Sequence, residues 1–110
     1  MEKFYIKDKN KNLCGILFYD KENKKWSIDI EKNIDMAICP ALLYCAVKEN
    51  KYHLDNELSK MWIENRVVPE DRQNINDILN IAGLAYYDIC DILKITQGKC
   101  CMDDCTVECE

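Results

Sequence analysis

Four of the eight cysteines of this chain lie in its last eleven residues, among acidic side chains: Cys100, Cys101, Cys105 and Cys109. Four thiolates form the ligand set that structural zinc and iron–sulfur clusters take. Cys101, Cys105 and Cys109 recur at every fourth residue, so on a helix they would share one face. On a strand, Cys105 and Cys109 would share a face and Cys101 would lie elsewhere. The four cysteines are therefore candidate metal ligands, with zinc as the metal.

One feature of the same tail argues against a metal and another against redox chemistry. Structural zinc sites usually present cysteine pairs separated by two residues, and the sequence contains no Cys-x-x-Cys pair. Redox chemistry at Cys100 and Cys101 is also disfavoured, because the nearby carboxylates of Asp103 and Asp104 oppose the formation of a thiolate. We therefore expect no cofactor, and we keep a zinc-binding or structural module that regulates a kinase-like toxin as the alternative function.

The remaining cysteines and the single histidine do not form a catalytic pattern. Cys14, Cys39, Cys45 and Cys90 lie in apolar segments, where a thiol packs as a small hydrophobic group. His53 follows Tyr52, with no nucleophile elbow or Cys–His pair near it in the sequence, and we expect a solvated or helix-flanking histidine. The chain is predicted not to be an enzyme.

Charge divides the chain into two parts. Residues 1–32 hold eight lysines and six acids, a net +2, whereas residues 33–110 hold seven basic residues and fourteen acids, a net −7, which together give the net charge of −5. This balance disfavours direct nucleic-acid binding and favours a protein partner with a basic surface. The candidate partner-binding residues are Asp88, Asp91, Asp103, Asp104 and Glu108.

The elements that would position these residues begin with three strands. Around Phe4–Ile6, over residues 13–19 and around Trp26–Ile30, aromatic and β-branched residues cluster between polar turns. Trp26, Ile28 and Ile30 alternate with Ser27 and Asp29, which indicates one buried and one solvated face. Residues 1–32 are predicted to form an antiparallel meander.

Helical periodicity follows from residue 33 to residue 98. We predict a first helix near 40–49 that begins at Pro40, and a second at 55–64 with Leu58, Met61 and Trp62 on its apolar stripe. A third helix is predicted to begin at Pro69, with Glu70 and Asp71 in its first turn, and to end at Gly83. Asp88 is predicted to cap a fourth helix that Gly98 ends. The predicted core contains Phe4, Ile6, Leu17, Trp26, Ile28, Leu42, Leu58, Trp62, Ile78, Leu79, Leu84, Ile92 and Leu93.

Two arginines bracket Pro69. Arg66 lies near the end of the second helix, where a guanidinium can bond free carbonyls, and Arg72 is expected to reach Glu64, Glu70 or a loop carbonyl. A scaffold role is favoured for both, since a bidentate arginine often fixes a loop. The alternative is that they contact a phosphate or a partner carboxylate, but no Gly-rich loop accompanies them.

A family resemblance covers mainly residues 54–108. Residues 62–75, Gly83–Leu84, Tyr87–Asp88, residues 96–98 and Asp103–Asp104 resemble a group of small Firmicute and phage-associated proteins, some of which occur beside HipA-like kinase domains. In that group the motifs are an N-terminal hairpin with a tryptophan, an Arg-x-x-Pro-x-x-Arg element and a closing strand. The resemblance implies an accessory protein of a mobile element, and it implies no reaction.

The sequence thus predicts one α+β domain: a three-stranded meander (1–32) packed on about four short helices (33–98), with a Cys-rich tail or short strand (99–110). The first residues contain no apolar run typical of a signal peptide, and nowhere does the sequence contain an apolar stretch long enough to span a membrane. We therefore expect a cytoplasmic protein without membrane contact. The predicted function is non-catalytic protein binding for a phage or mobile element. Inhibition of nucleic-acid-handling defence machinery, such as a CRISPR effector, is one form it would take.

Overall fold

A computed structural model of the protein describes residues 2–67, 70–99 and 105–110. It has the predicted α+β fold, built on one five-stranded antiparallel sheet with the order β4-β3-β2-β1-β5. The strands are β1 (Glu2–Lys7), β2 (Leu13–Asp20), β3 (Lys25–Ile30), β4 (His53–Leu54) and β5 (Thr106–Cys109). The meander of β1, β2 and β3 is confirmed, and so is a short C-terminal strand.

Alternation of side chains gives the sheet one buried face. Leu17 lies opposite Phe4 on one side and opposite Ile28 on the other, and all three are fully buried. Residues one position away, such as Tyr5 and Ile16, are paired on the opposite face and are half-buried. The period of two read from the sequence therefore decides which residues meet the helices.

The two hairpin turns are closed by aspartates. Asp8 Oδ1 accepts hydrogen bonds from the backbone N–H groups of Asn10 and Asn12, at 2.9 and 3.0 Å. Asp20 Oδ1 accepts equivalent bonds from Glu22 and Asn23. These Asx-type bonds explain why short polar segments rich in Asp and Asn reverse the chain at the predicted positions.

Four helices lie in the described part of the chain, and local signals mark most of their ends. Asp55 and Asp88 are N-caps whose side chains accept bonds from Leu58 N and Asp91 N. Pro40 precedes the first helix, and Gly83 ends the third in the left-handed conformation. The helices are α1 (Ala41–Lys48), α2 (Asn56–Glu64), α3 (Ile75–Ala82) and α4 (Ile89–Thr96).

The predicted start of α3 was wrong. Glu70 and Asp71 lie in turns, and the helix begins only at Ile75. The backbone N–H of Ile75 donates to the Arg72 carbonyl, which belongs to the turn before the helix. Asp77 takes the place in the first turn that was assigned to those two acids. Pro69 lies outside the described residues. A proline and two acids are typical of a helix start, but the same residues suit a turn equally well.

Most of the predicted core is confirmed, with one clear error. Phe4, Ile6, Leu17, Trp26, Ile28, Trp62, Leu79, Ile92 and Leu93 are buried, whereas Leu42, Ile78 and Leu84 are half-buried. Leu58 is 37% exposed, because the buried stripe of α2 is formed by Ser59, Trp62 and Ile63. The apolar stripe of that helix is thus rotated by one residue from the predicted one.

None of the helices in residues 2–67, 70–99 and 105–110 has the length and apolar character that crossing a membrane requires.

Candidate functional site

A groove of about 580 Å³ lies between α1, the turn segment before it and the C-terminal half of α2. Most of its lining is apolar, from Met36, Cys39, Leu42, Cys45, Met61 and Trp62. Leu43 and Ala46 of α1 are buried in the core. Leu42 and Cys45 directly precede them, so they lie on the adjacent face of the helix, which borders the groove. Both sides of the groove are therefore placed by the amphipathic helices that also build the core.

Apolar side chains at the rim of this groove are exposed. Met61 is 49% exposed and Tyr44 is 38% exposed. Methionine is unbranched and polarizable, so it adapts to the shape of a bound group. The groove and its rim together form an apolar surface that solvent reaches.

The buried side chain of Arg66 also lines the groove. Its guanidinium lies 4.7 Å from the centre of the Trp62 ring, Nε donates to the Gly98 carbonyl at 2.7 Å, and Nη2 donates to the Cys105 carbonyl at 2.9 Å. Arg66 does bond carbonyls, but they follow α4 and precede β5 and are not the free carbonyls at the end of α2 that were predicted as its partners. Arg72, its predicted counterpart, is exposed. Arg66 therefore connects the groove to the C-terminal segment.

Charged side chains of both signs lie on one side of the groove. A neighbouring depression shares Met61 and Asn65 with the groove, and Glu57, Lys60 and Glu64 also line it. Lys60 Nζ lies 3.8 Å from Glu64 Oε1, and both side chains are about half exposed. An exposed pair of this kind contributes little stability and exchanges easily for another partner.

Two further acids, Glu70 and Asp71, follow the end of α2 along the chain. Burial raises the pKa of Tyr87, and the carboxylates of Glu70, Glu64 and Asp71 raise it further. Glu64, Glu70 and Asp71 are all exposed, so their charges face solvent.

The acids predicted to contact a partner do not line the groove. Asp88 caps α4, with its Oδ1 3.2 Å from Asp91 N, and Asp91 is half-buried in the first turn of that helix. Glu108 lies on β5, where its Oε2 is 3.4 Å from Lys7 Nζ. Asp103 and Asp104 lie outside the described residues. A partner-binding role for these five acids stays a prediction.

The cysteine tail contains a strand, which decides between the two geometries left open by its spacing. Cys105 is buried directly before β5 and Cys109 is exposed at its end. Because a strand rises about 3.3 Å per residue, these two cysteines lie about 13 Å apart. Zinc–sulfur bonds are about 2.3 Å long, so one ion cannot bind both thiolates.

Cys100 and Cys101 lie outside the described residues, so their part in a metal site stays a prediction. Over residues 2–67, 70–99 and 105–110, no three His, Cys, Asp or Glu side chains are arranged so that they could hold a metal ion.

Three thiols from distant segments lie near one another in the core. Burial, together with smaller contributions from Cys105, Asp8 and Cys39, raises the pKa of Cys14 to about 12. Cys105 Sγ lies 3.6 Å from the carbonyl oxygen of Ile38, the neighbour of Cys39. A thiol held protonated in this way is a poor nucleophile and packs as an apolar group.

The predicted burial of the other four cysteines is confirmed in part. Cys14 and Cys90 are buried, and Cys39 is half-buried. Cys45 is exposed, because its position on α1 faces the groove and not the core. The apolar neighbours of Cys45 in sequence gave no signal of this difference.

His53 is exposed, as expected for a solvated histidine, and its Nδ1 lies 2.6 Å from Asp29 Oδ1. The two residues face each other across β3 and β4, on the side of the sheet opposite Ile28. This His–Asp pair therefore lies on an open surface and not in the groove, where a general base would be expected.

Comparisons of the chain with protein-family models, with curated proteins and with solved structures found no significant match. The resemblance to phage-associated accessory proteins accordingly stays a prediction.

Proposed function

We propose that this protein is a non-catalytic protein-binding module, and that its groove between α1 and α2 binds the apolar face of a helical segment from a partner protein. The observation that carries this proposal is the open apolar groove, with Met61 and Tyr44 exposed at its rim. Its volume of about 580 Å³ equals that of many small-molecule sites, which hold about 300–1,000 Å³, and so leaves room for several side chains of a partner.

A helix suits the groove better than an enclosed ligand does. Two helices bound it, and a helix laid between them would insert side chains spaced at i, i+3, i+4 and i+7. The exposed rim at Met61 and Tyr44 extends the apolar surface beyond the cavity, and an extended partner would cover this surface as well. The lining combines Trp62, Tyr44 and Arg66, the residue types that contribute most to protein interfaces.

The role proposed for this binding is that of an accessory protein that blocks or regulates its partner. An acidic module bound to a protein that handles nucleic acid would compete with the nucleic acid for its basic surface. Inhibition of defence machinery is the form of this role that the sequence favours.

The proposal is tested by selection from a displayed library of helical peptides, with the wild-type protein as bait. We expect the enriched peptides to carry an apolar stripe with helical spacing. They should lose at least about tenfold in affinity for Met61→Asp, because an introduced carboxylate in the groove would be buried by the peptide. Ile95→Asp is the matched control, since Ile95 is 53% exposed on α4, away from the groove.

Either of two results would overturn the proposal. One is a selection that enriches no helical peptide. The other is a set of enriched peptides that bind Met61→Asp and Ile95→Asp equally well.

A further inference from the structure

Cys105, the residue directly before β5, contacts two of the segments that form the groove. Its carbonyl accepts a hydrogen bond from Arg66 Nη2 at 2.9 Å, and its Sγ donates to the Ile38 carbonyl at 3.6 Å. Arg66 lines the groove just after α2. Ile38 lies between two other lining residues, Met36 and Cys39, in the turn segment before α1. Cys105 thus joins the turn segment to the end of α2.

The strand that follows Cys105 holds it in this place. β5 pairs with β1 over residues 106–109, Val107 is fully buried, and Val107 N donates to the Gln97 carbonyl at 2.7 Å. Val107 does not line the groove. The bonds of Cys105 to the two groove segments therefore depend on a strand that a bound partner does not need to touch.

The strand β5 is short and lies at an edge of the described sheet, next to β1. Elements with few buried contacts open locally at a lower free energy than the core of a fold does. When β5 separates from β1, Cys105 is no longer fixed between Arg66 and Ile38. The turn segment and the end of α2 then lose a connection that sets their separation.

We infer that pairing of β5 with β1 and binding of a partner in the groove are coupled through Cys105. The paired strand keeps the turn segment and the end of α2 in the arrangement that forms the groove, so opening of β5 weakens binding. A bound partner stabilises paired β5 by the same factor, because coupling between two sites is reciprocal. The effect on binding rests on the proposed function, whereas the effect of β5 on the shape of the groove does not.

The first experiment follows the shape of the groove without a partner. Val107→Thr places a hydroxyl in the core and so favours opening of β5, whereas Cys105→Ala leaves the strand intact and removes only the bond to Ile38. Alkylation by iodoacetamide is measured at each cysteine by mass spectrometry. In both variants Cys39, which is half-buried and lines the groove, should react at least about fivefold faster, the lower end of typical couplings.

Ile16→Thr is the matched control. Ile16 is half-buried on the face of the sheet opposite Leu17, so the same kind of change there should leave the alkylation rate of Cys39 unaltered. Cys90 is buried and reports global unfolding, and its thiol should stay protected in all three variants.

The second experiment uses a peptide enriched against the wild-type protein. At a saturating peptide concentration, hydrogen exchange at the amides of residues 106–109 should slow at least about fivefold. The amides of His53 and Leu54 should not change, because β4 lies at the opposite edge of the sheet. Val107→Thr should bind the peptide at least about fivefold more weakly than Ile16→Thr does.

The outcomes distinguish this inference from the proposed function. Equal alkylation rates of Cys39 in Val107→Thr, Cys105→Ala and Ile16→Thr would overturn the inference, whether or not a peptide binds. A peptide that binds the wild-type protein and leaves the exchange of β5 unchanged would also overturn it, while the groove remained the binding site. A selection without enriched peptides would overturn the proposed function, and faster alkylation of Cys39 would still support control of the groove by β5.

Discussion

At the scale of single residues, Arg66 connects more of the structure than any sequence pattern indicated. It is 6% exposed, lies over the Trp62 ring, and donates to the carbonyls of Gly98 and Cys105. Substitution by methionine would keep an apolar stem but leave two buried carbonyls without these donors. We expect Arg66→Met to lower the free energy of unfolding by about 3 kcal/mol.

Urea denaturation followed by circular dichroism measures this change. Arg72→Met is the control, and because Arg72 is exposed it should stay within about 0.5 kcal/mol of the wild-type protein. Equal stability of the two variants would show that the bonds made by Arg66 do not stabilise the fold.

Cys14 makes the stability of the fold depend on pH at the alkaline end. Its ordinary pKa of 9.0 is raised to about 12 by burial and by Cys105, Asp8 and Cys39. The unfolded chain therefore releases this proton at a lower pH than the folded chain does. The contribution of the protonated thiol to the free energy of unfolding is therefore complete below about pH 9 and is lost as pH rises toward 12.

Unfolding at about pH 8 and about pH 10.5 tests this dependence. The free energy of unfolding should fall less between the two values in Cys14→Ala than in the wild-type protein. Cys45→Ala is the control, because that thiol is exposed, and it should follow the wild-type protein. The lysines that pair with Glu2 titrate in all three proteins, so the comparison isolates Cys14. Parallel changes in all three would contradict the prediction.

At the scale of elements, two glycines near helix ends have the same left-handed conformation but different surroundings: Gly83 ends α3, whereas Gly98 follows Gln97, the residue that ends α4 in place of the predicted Gly98. Gly83 has φ +77 with nothing within 4 Å of an added Cβ, whereas at Gly98, with φ +62, an added Cβ would lie 2.8 Å from Val107 Cγ2. Gly83→Ala should cost only the left-handed strain of about 1 kcal/mol. Gly98→Ala should cost about 3 kcal/mol, since it also forces β5 away from the end of α4.

Thermal unfolding of the two variants measures the difference. If Gly83→Ala and Gly98→Ala have equal melting temperatures, then the contact between Gly98 and β5 does not restrict the backbone there.

Local sequence signals predicted the elements that they directly control. The meander follows from alternation around Trp26 and Ile28, and α4 begins at Asp88 because a side-chain oxygen caps its free N–H groups. The strand β4, only two residues long, was not predicted. Two residues carry no periodicity, and its pairing with β3 depends on chain segments that are distant in sequence.

The groove was also beyond local prediction. It is formed where Met36, Leu42 and Met61 converge from three segments, and the periodicity of each segment indicates only that one face is apolar. A rotation of one residue in α2 decides that Met61 faces the groove. The prediction that Cys45 is buried failed for the same reason, since its apolar neighbours in sequence could not show which face of α1 it occupies.

At the scale of the whole molecule, the sheet brings the two ends of the chain together. β5 pairs with β1 from Phe4–Cys109 to Lys7–Thr106, Val107 is fully buried, and Val107 N donates to the Gln97 carbonyl at 2.7 Å. The last strand thus completes the core and covers one edge of β1. It directly follows Cys105, whose carbonyl accepts a hydrogen bond from Arg66. Acids on β5 pair with lysines of β1, Glu108 with Lys7 and Glu110 with Lys3.

Deletion of residues 105–110 should therefore change both stability and association. It removes Val107 from the core and a carbonyl partner from Arg66, so we expect a loss of more than about 4 kcal/mol. It also turns β1 into an exposed edge strand, which favours pairing between chains. Light scattering after gel filtration should show oligomers, and thermal unfolding should lose its cooperative transition. Glu108→Gln with Glu110→Gln is the control, because it removes the ion pairs but keeps the strand. A monomeric truncated protein with wild-type stability would mean that the sheet does not depend on its last strand.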